Sequence, residues 1–404
     1  MLTEEDKHRM HRAILGYFEA NGFEESLKAF SKESGISESS ESSDLLPKKW
    51  ASIVYLQQKN NSLQSELKLL KEEIHYFKQK KLKEKKSEGI PILPPKFTLE
   101  AHTETVTHLA IHPLRNLLAA CSEDSSITLW NLESSALVTS LTGHSGPVYC
   151  VDFEPQSGYL LASCSADMLI KLWHMESFQC VKTIAGHEHA ISSIAFLPSA
   201  DFIVSGSRDK TVRLWEITRG VCVREFSEVS EWAKQVCVNE EGNYIAACVA
   251  DCVLVWSVDN PDPVRKLAGH SDLVETVCFS GLHSSETIAE PSDRVHRVTS
   301  RTFLASGSRD KTIRVWEIAH GECLMQFEGH DNWVRALAFH PGGRFLYSSS
   351  DDKSVRLWDL RARQNSLKIS NAHSHFAVCL VISAKHEVCA SGSVDRSIKV
   401  WDLR

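Results

Sequence analysis

Residues 205–215 read SGSRDKTVRLW and residues 306–316 read SGSRDKTIRVW. A polar Asp-Lys turn leads in both into a short apolar strand that ends on Trp. Working outward, the same ending recurs at Trp130, Trp173, Trp215, Trp256, Trp316, Trp358 and Trp401, with successive spacings of 43, 42, 41, 60, 42 and 43 residues. Six residues before six of these indoles stand Asp124, Asp167, Asp209, Asp310, Asp352 and Asp395, and Asp251 stands five before Trp256. Further upstream come His102, His144, His187, His270, His330 and His373, and five of the six His-to-Trp intervals are 28 or 29. A fixed period in this range marks one supersecondary unit copied along the chain, each copy burying its apolar face only against its neighbours.

These residues resemble WD repeats over residue 96 to the C-terminus, and seven copies imply an all-β, seven-bladed propeller. In such repeats the His, a strand Ser, the turn Asp and the Trp form a hydrogen-bonded chain, which spares a buried imidazole and indole roughly 1–3 kcal/mol each. Complete sets are His144/Ser163/Asp167/Trp173, His187/Ser205/Asp209/Trp215, His270/Ser306/Asp310/Trp316, His330/Ser348/Asp352/Trp358 and His373/Ser391/Asp395/Trp401. The first repeat has Ala120 in place of the Ser. The fourth has Val229-Ser230 in place of Gly-His and a turn one residue short, so its blade is expected to be the least ordered. The chain stops three residues after Trp401, and residues 96–102, KFTLEAH, look like the outer strands that precede the other His residues. The N-terminal strand is therefore expected to complete the last blade and remove an exposed edge. The polar insert at 281–301 reads as a surface loop.

Composition agrees with a globular chain: 42% hydrophobic, 24% charged and a net charge of −7 over 404 residues. The acidic balance argues against a protein that coats nucleic acid. No run reaches the ~18 apolar residues of a membrane helix, and the first ten residues lack the apolar core of a secretory signal. The 12 Cys contain no Cys-x-x-Cys pair and mostly lie in apolar runs; free buried thiols follow, with no zinc spacing. No metal or other cofactor is expected.

The first 95 residues differ in texture. Residues 1–46 are expected to hold two short helices and an acidic loop. Thr3 is a plausible N-cap, and Met10, Ala13, Ile14, Tyr17 and Phe18 share one face. Asn21-Gly22 is a stop signal, and Phe23, Leu27 and Phe30 point inward on the second helix. Two such helices cannot bury a core alone, and a second copy is the simplest partner. Residues 48–86 place Ile53, Leu56, Asn60, Leu63, Leu67, Leu70, Ile74 and Phe77 at a/d spacing. A buried Asn60 at an a position favours a parallel two-stranded coil; a single amphipathic helix docked on a globular domain is the alternative. The run KQKKLKEKK at 78–86 suits a nuclear signal, an acidic partner or a solvated helix end. Residues 87–95 read as a Pro/Gly linker.

Ser, His and Asp within one repeat imitate a hydrolase triad, but the set recurs five times and its hydroxyl is consumed by an indole. No G-x-S-x-G, P-loop or H-E-x-x-H is present. Function is therefore expected on a propeller face. Flanking the turn Asp residues, Arg208, Lys210, Arg309, Lys311, Lys353 and Arg396 concentrate positive charge, and the His-side loops add Trp232, Lys234, Trp333 and Arg335. An exposed Trp ringed by cations on an acidic protein is a candidate hot spot; solvated turn residues are the plainer reading.

The N-terminal helices resemble the LisH dimerisation motif through Ala13-Ile14, Tyr17-Phe18, Gly22-Phe23, Ser26-Leu27, Phe30 and Glu33. That motif, a short coil and seven WD repeats, with segments such as LASCSADMLIKLW and GHDNWVRALAFH, are similar to the lissencephaly-1 family over nearly the whole chain. The resemblance implies a non-catalytic, homodimeric regulator of the cytoplasmic dynein motor domain. It implies work in microtubule minus-end-directed transport, nuclear positioning and cell division, in the cytoplasm and cytoskeleton and at the centrosome or spindle pole. Implied partners are a second copy, dynein, NudE-type coiled-coil proteins and platelet-activating factor acetylhydrolase catalytic subunits. By motif match the dynein-contacting residues fall on Arg208, Lys234, Arg309, Trp333 and Lys353, with Arg335 beside them. Lys234 stands where the family usually has Arg, which keeps the charge and loses a bidentate fork. A scaffold of a nuclear corepressor or ubiquitin ligase is the competing expectation.

Overall fold

The computed structural model describes residues 4–20, 22–35, 89–281, 288, 302–383 and 385–403. The chain divides into two compact units, Met1–Lys85 and Lys86–Arg404. The coiled-coil positions Ile53, Leu56, Asn60, Leu63, Leu67 and Leu70, the basic run and nearly all of the 281–301 insert lie outside the described residues.

In the first unit, α1 (Glu4–Ala20) and α2 (Glu24–Ser34) form a helical pair. Left-handed glycines end both helices, Gly22 at φ 71 and Gly35 at φ 69, and the Gly35 N–H donates to the Ser31 carbonyl at 3.1 Å. Phe18 sits between Phe23 and Phe30, with ring centroids 6.3 and 6.0 Å away. Ile14, Tyr17, Phe18, Leu27 and Phe30 are all half-buried, and α2 buries no residue fully. Two expectations need correction. Phe23 is 49% exposed rather than inward, although its ring stands perpendicular to that of Phe18. Leu15, absent from the face read by periodicity, is a buried apolar side chain of α1 at 3% exposure.

The second unit comprises seven four-stranded antiparallel sheets among the described residues. In the second blade, for example, Val148–Phe153, Leu160–Ser165, Leu169–His174 and Gln179–Ala185 run from the axis outward. Inner strands of successive blades touch around the whole ring, including Val106–Ile111 of the first against Ala377–Ser383 of the seventh. The closure is as expected: Phe97–Glu100 pairs with Ser397–Asp402 in the last sheet. Residues 89–95 are less of a linker than their composition suggests. The Tyr347 hydroxyl donates to the Gly89 carbonyl, Ile90 joins a core cluster and the Ile92 N–H donates to the Asp402 carbonyl at 2.9 Å.

Each inner strand carries a register shift at its second residue: Thr107, Tyr149, Ser192, Lys234, Glu275, Arg335 and Val378. A bulge re-aims the side chain it carries, so these seven residues hold equivalent places at one end of the seven inner strands. Adjacent inner strands lie in different sheets, and their side chains bond the neighbouring backbone across the seams. Thr107 donates to the Val148 carbonyl at 2.6 Å, and the Val277 N–H donates to Gln235 Oε1 at 3.0 Å. Thr276, in the fifth blade, has a buried hydroxyl with no partner among the described residues.

Four of the five expected His/Ser/Asp/Trp chains are complete. In the second blade the Trp173 indole donates to Ser163 Oγ at 2.9 Å, Ser163 meets His144 Nε2 at 2.8 Å and His144 Nδ1 meets Asp167 at 2.8 Å. In the third, Trp215 donates to Ser205 Oγ at 2.7 Å, Ser205 meets His187 Nε2 at 2.6 Å and His187 Nδ1 meets Asp209 at 2.7 Å. In the sixth, Trp358 donates to Ser348 Oγ at 2.9 Å, Ser348 meets His330 Nε2 at 2.6 Å and His330 Nδ1 meets Asp352 at 2.7 Å. The fifth repeats the pattern through Ser306. An ionised carboxylate only accepts, so the proton sits on Nδ1 and Nε2 accepts the Ser hydroxyl.

The seventh set is a correction. His373 reaches Ser391 at 2.7 Å and Asp395 at 3.2 Å, but the buried Trp401 N–H has no partner among the described residues. In the second, third and sixth blades Gly143, Gly186 and Gly329 precede the His at φ 153–154, where a Cβ would lie 2.8–3.2 Å from the indole tip. The seventh blade has Ala372 there, and its backbone takes another path through left-handed Asn371 at φ 53.

Two departures from the repeat are repaired locally. In the first blade Thr128 lies directly opposite Ala120; its hydroxyl accepts the Trp130 N–H at 2.9 Å and meets His102 Nε2 at 2.8 Å. Thr128→Val is therefore expected to cost about 1–3 kcal/mol by stranding two buried polar groups, and adding Ala120→Ser to restore most of it, as read by thermal unfolding. In the fourth blade all four strands form, and the Trp256 N–H donates to the Ser227 carbonyl at 3.2 Å.

Burial pulls His144, His187, His270 and His330 below the ordinary histidine value although each Asp partner opposes it. Burial would raise the partner carboxyls, but hydroxyl, imidazole and backbone donors reverse this and hold Asp167, Asp209, Asp310 and Asp352 low, Asp209 at about 2. Groups depressed in the fold contribute stability above their unfolded values and lose it as pH falls. Two groups act in the opposite sense: Asp152, pushed up to about 7 by burial, and His108, which burial would lower but Cys150 and Asp152 raise. Burial also lowers His112, to about 4, and His340, so with six histidines against two the thermal midpoint is expected to fall between pH 7.5 and 5.5 and again below about 4. A midpoint unchanged over the first interval would contradict this accounting.

Candidate functional site

The bulge residues and the His/Asp turns meet on one face. Beside the turn, the N–H of the residue before each tetrad Asp donates to the carbonyl just before the inner strand: Arg208 to Ala190, Arg309 to Leu273, Asp351 to Trp333. This bond fixes the turn residue next to the bulge. Between neighbouring blades it builds the same arrangement twice. The Arg208 guanidinium lies over Trp232 at 4.7 Å, and the Lys234 ammonium lies over the same ring at 5.2 Å. Two blades on, Arg309 lies over Trp333 at 4.0 Å and Arg335 over the same ring at 4.9 Å. Each indole is held between a cation from the preceding blade's turn and one from its own bulge. Arg208 also reaches Tyr149, at 5.4 Å.

One carboxylate joins the two sandwiches. Glu275 meets the Lys234 ammonium at 2.5 and 2.6 Å, the Arg309 guanidinium and Arg335 Nη1 at 3.3 Å. Arg335 is held a second time, by Asp351 at 2.9 Å. Both carboxylates lie beneath the cations, with side-chain exposures of 6% and 4%. Burial alone would raise the Glu275 carboxyl, but Lys234, Arg309 and Arg335 outweigh it and hold it below its ordinary value. Burial and the two guanidinium groups lower the Lys234 ammonium although Glu275 opposes them. Four cations, Arg208 included, thus stand against two carboxylates, and the surplus positive charge faces outward on an acidic chain.

Five of the six residues expected on the face, Arg208, Lys234, Arg309, Trp333 and Arg335, come together here. Lys353, one residue past Asp352 in the turn, does not join them; among the described residues its ammonium has no ion-pair partner. Sequence reading missed Glu275 and Tyr149. The available signal was register, since Tyr149, Lys234, Glu275 and Arg335 hold the same place in consecutive or nearby inner strands.

Among the described residues nothing at the site pairs an exposed nucleophile with a base. Ser163, Ser205 and Ser348 carry the Ser-His-Asp imitation, yet all three are 0% exposed and each hydroxyl is shared between an indole and an imidazole. They bond within their blades and take no part in the cation–indole face. Among the described residues no group of His, Cys, Asp and Glu is placed to hold a metal, and the cysteines are free, with Cys180, Cys222 and Cys323 exposed rather than buried.

Comparison with known proteins gives the same architecture. The WD domain, G-beta repeat family matches residues 93–131, 135–174, 178–216, 261–317, 321–359 and 364–402, segments that leave most of the irregular fourth blade unmatched. The PAC1 LisH domain matches residues 4–39. Nuclear distribution protein nudF 1 of Talaromyces marneffei is 36% identical over 401 residues, covering 94% of this chain and 87% of the relative. The chain belongs to the nudF/PAC1, or lissencephaly-1, family. Nuclear distribution protein PAC1 of Arthroderma otae (34% identical, 94% and 88% covered) and nudF of Emericella nidulans (35%, 94% and 89%) are further members. Membership in this family of LisH and WD-repeat proteins makes the chain a non-catalytic one.

Proposed function

We propose that the chain is a homodimeric regulator of the cytoplasmic dynein motor that docks on the motor domain through the cation–indole face and serves nuclear positioning and microtubule minus-end-directed transport. The relatives are named for nuclear distribution. The observation that carries the docking role is the convergence of Arg208, Lys234, Arg309, Trp333 and Arg335 on one preformed face. Rigid aromatic anchors ringed by charge are the composition of interface hot spots. Lys353 is proposed as a peripheral contact of the same face. The half-buried face of α1 and α2 fits pairing through a second copy, with residues 48–86 extending that pairing as a coil. NudE-type proteins and acetylhydrolase subunits are proposed as further partners, in the cytoplasm and at spindle poles.

Two propellers on one stalk raise avidity through effective concentration. At equal propeller concentration, residues 90–404 alone are expected to regulate dynein less effectively than the full chain in a single-molecule motility assay. Equal potency would remove the role assigned to dimerisation. Co-purification from native lysate distinguishes the docking partner: dynein supports the proposal, and a histone deacetylase or cullin without dynein overturns it.

A further inference from the structure

We propose that Glu275 is a positioning residue that couples the two cation–indole sandwiches into one preorganised docking surface for a protein partner bearing carboxylates. This rests on the docking role proposed above. Lys234 belongs to the fourth blade, Glu275 and Arg309 to the fifth and Arg335 to the sixth, so one buried carboxylate ties three blades together at their rims. It stands next to Thr276, whose hydroxyl lacks the cross-seam bond that side chains make elsewhere in the ring. Lys234 and Arg335 are both held by Glu275, while each also lies over a different indole. Moving either cation therefore bears on the other sandwich through Glu275. Long flexible cations lose rotamer freedom on binding; a carboxylate that fixes them beforehand removes that cost. It occupies part of their charge and leaves a surplus, which selects a partner that supplies further carboxylates at set positions.

The sign of one substitution separates positioning from bulk charge. Glu275→Gln makes the face more positive. A partner drawn by net charge would bind it more tightly, whereas a partner reading fixed cations binds it less tightly. Titration of a cytoplasmic dynein motor domain with the full chain is expected to show about tenfold weaker binding for Glu275→Gln, measured at a temperature where circular dichroism shows the variant folded. Because removing one member of a buried ion cluster can unfold a protein, a double-mutant cycle on Lys234→Met and Arg335→Met gives an independent reading. The losses of the two single variants are expected to multiply to at least about threefold more than the loss of the double variant. Tighter binding by a folded Glu275→Gln, or losses that simply multiply in the cycle, would overturn the proposal. If instead wild type and Arg309→Ala with Trp333→Ala show no binding difference, the docking role itself fails, and the two failures are thereby distinguished.

Discussion

Replacing Arg309 and Trp333 together by Ala is expected to weaken binding to a dynein motor domain by about 100-fold, near 3 kcal/mol, with the propeller still folded. The pair forms the closest cation–indole contact of the face, at 4.0 Å, and both side chains are partly exposed. The fold should survive because Glu275 keeps Lys234 and Arg335, and Arg335 keeps Asp351. No buried charge is left alone, which is the event that makes loss of an ion-pair partner costly. Trp333 heads an inner strand whose next residue, Val334, fills the core at 0% exposure; its own ring lies outside that core. Titration with both variants, alongside circular dichroism, reads binding and fold separately. Unchanged affinity would remove the two residues from the interface.

The largest effect on stability is expected from Trp358→Ala, at about 3–5 kcal/mol against a typical total of about 5–15. Trp358 is 1% exposed, contacts Phe327 and His330 with ring centroids at 5.3 and 5.9 Å, and donates to Ser348. Truncation leaves a cavity between the fifth and sixth blades, where the cluster containing Trp358 also holds Phe303 and Ile313. It also deprives the tetrad of its terminal donor. A milder pair isolates the hydrogen bond. Trp358→Phe loses the bond to Ser348, whereas Trp401→Phe removes an N–H that has no partner among the described residues. The first is expected to cost more, by about 1–2 kcal/mol, and equal losses in denaturant unfolding would contradict the assignment of an orphaned Trp401.

Much of this molecule is written in its period. Because each blade repeats one pattern, the Trp, Asp and His spacing revealed blade number, the closing strand at 97–100 and tetrad members such as Ser163 and Ser205. What escaped sequence reading depends on contacts across strands. Thr128 rescues Ala120 because antiparallel register sets them opposite each other, a relation that spacing to the repeat consensus hides. Trp401 lacks a partner among the described residues although Ser391, Asp395 and His373 all stand in their usual places. On the cation–indole face, charge and indoles were visible as a cationic set, but the acid that pairs with three of the cations was not. Glu275 lies in an otherwise ordinary inner strand, VETVCF, and only the bulge that turns its side chain to the rim makes it central.

The most direct test is an equilibrium titration of a purified cytoplasmic dynein motor domain with the full chain at several salt concentrations. Saturable binding that weakens as salt rises, since much of the attraction is between charges, is the predicted result. No saturable binding at any salt concentration would contradict the account.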